Sequence, residues 1–174
     1  PFYFHLVSVL LHALNAVLVF YLIFALSIDK ILSYICAILF GVHAVNTEAV
    51  TWAYQQSILL MTFFFLGGLL FFIKYMDTRN KAFHYSALAL SALAIFTKDQ
   101  MAIMVFLIFG VALLKGNSIK QSIKLATPYV WITALYFMAR LISHTPLSQI
   151  AAWDSRINIF ITSIKSLAYY IILS

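Results

Sequence analysis

Long apolar stretches alternate with short polar segments along the whole chain. The apolar stretches run from about Phe4 to Leu26, Ile31 to Val42, Ile58 to Ile73, Ala82 to Phe96, Met101 to Leu114, Ala126 to Ala139 and Ile157 to Leu173. Between them lie Ser27–Lys30, His43–Ser57, Lys74–Lys81, Thr97–Gln100, Lys115–Lys124 and Arg140–Arg156. Strands of a membrane barrel would alternate apolar and polar residues, and these stretches are apolar throughout. Helices close their own backbone hydrogen bonds and are therefore the expected spanning form. The pattern predicts an all-α polytopic transmembrane bundle in one domain, with about seven helices near 4–26, 31–43, 58–73, 82–96, 98–114, 126–140 and 157–174.

Composition makes lipid the fitting solvent. Of 174 residues, 64% are hydrophobic and 9% charged, against about a quarter charged in soluble domains. A water-soluble fold of this size could not cover so much apolar surface. The chain opens on Pro1 without a basic, cleavable leader and stops within an apolar run. It is expected to be a piece of a longer protein, lacking a first span and a C-terminal part. The lone Cys36 permits no disulfide within the chain.

Charge orients the spans. One set of alternate loops holds Lys30, Lys74, Arg79, Lys81, Lys115, Lys120 and Lys124, and the other holds Lys98, Arg140 and Arg156. The positive-inside trend puts the first set in the cytoplasm and Phe2–His5 outside. The net charge of +6 is thus an orientation signal, and no nucleic-acid partner is expected. A bacterial inner membrane is the expected location, ahead of the endoplasmic reticulum. A helix over Met101–Leu114 would be only about 21 Å long against about 30 Å of hydrocarbon. A re-entrant hairpin there would remove most of the charge bias, so a span beginning near Thr97 is preferred. Lys98 and Asp99 are then expected in a depression on the outer face, where ionisable groups are functional candidates.

Other polar groups collect on the same side. His43, Asn46 and Thr47 would share a helical face, with Glu48 on the same turn and Gln56 just before the next span. Each also has an ordinary reading. His43 suits an interface, Glu48 a helix cap, Lys98-Asp99 a surface turn, and Arg140 a snorkelling anchor. His12 and Asn15, one turn apart in the first span, are expected to pack helix against helix. Gly67-Gly68 is expected to permit close helix packing. There is no His-Glu-x-x-His and no second His or Cys near His43, so no metal site is evident, although a divalent cation as cofactor stays open.

Three segments carry a resemblance: Phe4-His5-Leu6-Val7-Ser8-Val9-Leu10-Leu11-His12-Ala13-Leu14-Asn15-Ala16-Val17-Leu18, then Phe40-Gly41-Val42-His43-Ala44-Val45-Asn46-Thr47-Glu48-Ala49-Val50-Thr51-Trp52, then Phe96-Thr97-Lys98-Asp99. In this order and spacing the chain resembles the membrane part of TPR-linked O-mannosyltransferase-like proteins, within the broad GT-C glycosyltransferase class. The family pattern departs at Ala44 (usually proline), Asn46 (histidine), Gln56 (arginine), Ile58 (often polar) and Asp99 (glutamate). The Gln56 departure removes a cation that could hold phosphate.

The resemblance implies a multi-pass enzyme that takes a sugar from a polyprenyl-phosphate carrier and passes it to a protein or glycan acceptor on the outer or lumenal face. It also implies an essential acid in an outer loop upstream of Pro1, so the fragment alone is expected to be inactive. Glu48 and His43 are the candidates for the catalytic cavity, Lys98 and Arg140 for the donor phosphate, and Asp99, Asn46 and Gln56 for support. The chemistry would be an inverting transfer, with or without a metal, in which an acidic group takes the acceptor proton while a fixed cation stabilises the leaving phosphate. A transporter or flippase of lipid-linked sugars would show internal repeats and broken helices near the midplane. A non-catalytic membrane scaffold is a third reading. Donor lipid, membrane lipids and acceptor are the expected partners.

Overall fold

The computed structural model describes residues 2–43, 56–98 and 102–143. These are helical, with no strand among the described residues, as expected for a helical bundle fragment. The elements are α1 (Phe2–Ser27), α2 (Lys30–Val42), α3 (Gln56–Thr78), α4 (Lys81–Thr97), α5 (Met104–Leu114) and α6 (Ile119–Ser143). The seventh expected helix, near 157–174, lies outside the described residues. Among the described residues two helices, His5–Ser27 and Gln56–Thr78, are long and apolar enough to cross a membrane.

The starts and stops follow from local chemistry. Asp29 caps α2, accepting from the backbone N–H groups of Ile31 and Leu32, and Asn80 caps α4 by accepting from Ala82. Ile28 (φ 59°) and Arg79 (φ 58°) take left-handed conformations that reverse the chain before these caps. Three expected helices have other bounds. Helix α3 continues past Ile73 to Thr78. Helix α5 starts at Met104 because Lys98, in extended backbone (φ −153°, ψ 131°), ends α4. Helix α6 starts at Ile119, earlier than the apolar run, because Ser118 and Gln121 form a reciprocal cap, each side chain accepting from the other's backbone N–H.

Two compact units divide the chain, Pro1–Tyr136 and Phe137–Ser174. In the first, α1 packs against α2 and α3, and α3 packs against α4 and α5. The core gathers Leu69, Phe72, Ile73, Met76, Ala87, Ile108 and Tyr129, with Tyr129 meeting the Phe72 ring edge-on at 5.9 Å. Many large apolar side chains of α1 and α2 are exposed, among them Val9, Leu10, Tyr34, Ile38 and Leu39. So many exposed apolar side chains on two helices suit lipid or partner helices better than water. Of the second unit only the end of α6 is described.

Helix α3 forms the centre through its small residues. A Cβ on Gly68 would lie 2.8 Å from the Met104 Cε, 3.3 Å from the Ser91 Oγ and 3.6 Å from the Ala87 carbonyl oxygen. One on Gly67 would lie 3.3 Å from the Leu90 Cδ1. The missing side chains let α4 and α5 approach closely, the device that drives helix association where lipid removes the hydrophobic advantage. Gly68→Leu is expected to destabilise the bundle by about 1–3 kcal/mol through overpacking. Gly110→Leu should cost little, since a Cβ there meets nothing within 4 Å. Thermal unfolding of both variants in detergent measures the difference, and equal melting temperatures would refute the close-packing role.

The register fixes two ends. Lys115 Nζ donates to Asp77 at 3.0 Å and to the Ala25 carbonyl at 3.3 Å, joining the C-terminal ends of α1, α3 and α5. Both side chains are partly exposed (25% and 53%), so the pair adds little stability and serves mainly as a marker of register. Lys30, Lys74, Arg79, Lys81, Lys120 and Lys124 fall at this same end, where Lys74 also lies over the Phe83 ring at 4.7 Å. The opposite end collects the start of α1, the end of α2, the start of α3 and the end of α4.

Candidate functional site at the non-basic end

A polar stripe on α1 organises this end. Ser8, His12 and Asn15 stand at i, i+4 and i+7, so they share one face. Gln56, the first residue of α3, donates from Nε2 to the Ser8 Oγ at 3.2 Å. His12 Nε2 donates to the Gly41 carbonyl oxygen at 3.0 Å, and its ring stacks on Phe40 with centroids 5.5 Å apart. Gly41 lies in the last turn of α2, where carbonyls have no intrahelical donor, so His12 supplies one. Asn15 is fully buried and donates from Nδ2 to the Leu59 carbonyl oxygen at 3.0 Å. The stripe therefore pins α2 and α3 to α1. His12 and Asn15 have the expected helix-packing role.

His43 closes α2 in an extended conformation (φ −65°, ψ 128°) and is exposed. Lys98 closes α4, its backbone N–H donating to the Ala94 carbonyl at 3.1 Å. Its side chain is half-buried and has no carboxylate partner among the described residues. The contacts of Gly67 with Leu90 and of Gly68 with Ser91 set the register of α3 against α4. Carried about two turns further, that register puts the end of α4 level with about Leu59, roughly one turn inside Gln56. Phe96, two residues before Lys98, meets the Tyr136 ring edge-on at 5.4 Å, which brings α6 to this end as well.

His43, Gln56 and Lys98 thus share the end of the bundle opposite the basic one. Arg140 belongs to the second unit, exposed in the last turn of α6. Glu48, Asn46 and Asp99 lie outside the described residues. Among the described residues no group of His, Cys, Asp and Glu could hold a metal ion. Ser8 was missed in the sequence although its i, i+4, i+7 relation to His12 and Asn15 was visible there. Nothing in the sequence paired it with Gln56, forty-eight positions away.

Comparison with known proteins adds one partial likeness. Over 74 residues, 42% of its length, the chain is 39% identical to Protein O-mannosyl-transferase TMTC3 of Mus musculus. The match covers 8% of that protein, so the chain corresponds to a small part of it. No family model matches, and no solved structure matches. The relative is a mouse protein, so this likeness lends no support to the bacterial membrane expected above. The described residues form a helical bundle that includes two membrane-length helices, and the chain bears a partial likeness to an O-mannosyl-transferase.

Proposed function

We propose that this chain is part of a multi-pass membrane glycosyltransferase of GT-C type. It would take a sugar from a polyprenyl-phosphate donor and transfer it to a hydroxyl of a protein or glycan at the non-basic, outer or lumenal end. The observation that carries this reading is the half-buried cation Lys98 at the end of the bundle that also gathers Gln56 and His43. The partial likeness to an O-mannosyl-transferase supports the same chemistry.

The roles follow from where charge develops. As the anomeric carbon leaves the lipid phosphate, negative charge grows on the phosphate oxygens. An ammonium held in a recess, partly shielded from water, stabilises that charge more strongly than one in bulk solvent. Lys98 is a compact cation with three donors and suits this task. Arg140 is the second phosphate candidate, and Gln56 would orient the donor through hydrogen bonds. An acid must take the acceptor proton. Glu48, whose sequence position falls between the end of α2 and the start of α3, is the candidate within this chain, together with His43. Asp99, next to Lys98 in sequence, and Asn46 would support them.

The test is a transfer assay on the full-length protein reconstituted in liposomes with a radiolabelled polyprenyl-phosphate mannose and an acceptor peptide. Labelled peptide is the expected product. Movement of the donor across the bilayer without labelled peptide would establish transport instead. Neither product nor translocation would support a scaffold.

A further inference from the structure

The basic end holds a pocket of about 400 Å³ between the end of α3, the start of α4 and the start of α6. That volume lies at the lower end of the range for small-ligand sites. Its wall includes two cations from separate elements, Arg79 and Lys124, and no carboxylate. Neither cation is ion-paired among the described residues. Arg79 sits at the left-handed residue between α3 and α4. His84 also lines the pocket, its ring tilted against that of Tyr75 with centroids 4.7 Å apart, and its buried Nδ1 has no hydrogen-bond partner among the described residues. Gln121 uses its carboxamide oxygen to accept from the Ser118 N–H, which leaves its NH₂ group to donate. The wall therefore offers two positive charges and a neutral amide donor, the chemistry that recognises a phosphate ester.

The pocket also has a direction. Its α6 wall, from Gln121 through Lys124 to Pro128, continues at i+3 and i+7 into Trp131 and Leu135, both exposed. A ligand with its phosphate between Arg79 and Lys124 would lay an apolar tail along this stripe. We propose that the pocket binds the phosphate headgroup of an anionic membrane lipid. The site lies at the end of the bundle opposite Lys98 and does not depend on sugar transfer there.

The full-length protein, purified in a neutral maltoside detergent, is titrated with fluorescent phosphatidic acid in mixed micelles. Saturable binding is expected. Arg79→Asn/Lys124→Gln, with asparagine chosen because it tolerates the left-handed backbone, should weaken it at least tenfold. Lys30→Gln/Lys81→Gln removes the same charge from the same end outside the pocket and should weaken it less than twofold. Equal weakening by both pairs, or by neither, would overturn the assignment. If the first pair does not purify folded, Lys124→Glu alone must abolish binding. Glycerol 3-phosphate separates the two sources of a phosphate ester. Displacement only at concentrations far above the lipid's supports the lipid assignment, and displacement at equal concentration would overturn it in favour of a soluble phosphate ester.

Discussion

Replacing Lys98 by alanine in the full-length protein is expected to lower sugar transfer roughly 100- to 1,000-fold, about 3–4 kcal/mol of transition-state stabilisation. The bundle itself should tolerate the change. The structural contribution of this residue is its backbone N–H, which closes α4 on the Ala94 carbonyl, and alanine keeps that bond. The side chain is half-buried without a carboxylate partner among the described residues, so its removal strands no opposite charge. Lys98→Arg keeps the cation but exchanges a compact ammonium for a planar fork. It should recover part of the rate and none of any change in melting temperature. Turnover at saturating donor is the informative measurement, since the cation acts on charge that grows in the transition state. Wild-type turnover in the alanine variant would remove Lys98 from the mechanism.

Asn15→Asp is expected to be the most damaging single change to the fold. The wild-type amide is fully buried and donates to the Leu59 carbonyl at 3.0 Å. Loss of that bond alone is modest, about 0.6 kcal/mol on average between membrane helices. A carboxylate in its place has no hydrogen to donate, faces a carbonyl oxygen and must be desolvated, at a cost of about 3 kcal/mol. Thermal unfolding in detergent at neutral pH measures this, and a variant as stable as wild type would contradict it.

These two residues show how unevenly the sequence reveals the molecule. The helical class was legible because apolar runs bounded by lysines leave few alternatives. Polar residues nevertheless continued helices that hydropathy alone would end. Ser118 and Gln121 cap each other and start α6 before its apolar run, and Thr78 ends α3 well past Ile73. The packing role of His12 and Asn15 followed from their spacing, but their partners, Gly41 and Leu59, lie 29 and 44 positions away. The depression expected around Lys98 and Asp99 came from the shortness of two apolar runs; Asp99 lies outside the described residues, and Lys98 is half-buried at the end of α4. The pocket at the basic end was not legible. Arg79 and Lys124 entered as orientation signals, and His84 was hidden in an apolar run. Only the convergence of three elements joins them.

The opposition of the two ends of the bundle is measured most directly by side-specific labelling. In the full-length protein without other cysteines, including Cys36, a single cysteine is placed by His43→Cys or by Lys81→Cys. Both positions are exposed, one at each end. Membrane-sealed vesicles of known orientation are treated with a membrane-impermeant maleimide before and after permeabilisation. The His43 position should react from the outer or lumenal side in sealed vesicles, and the Lys81 position from the cytoplasmic side. Reaction of both from one side, or in the reverse order, would contradict a transfer site at the outer end of a membrane bundle.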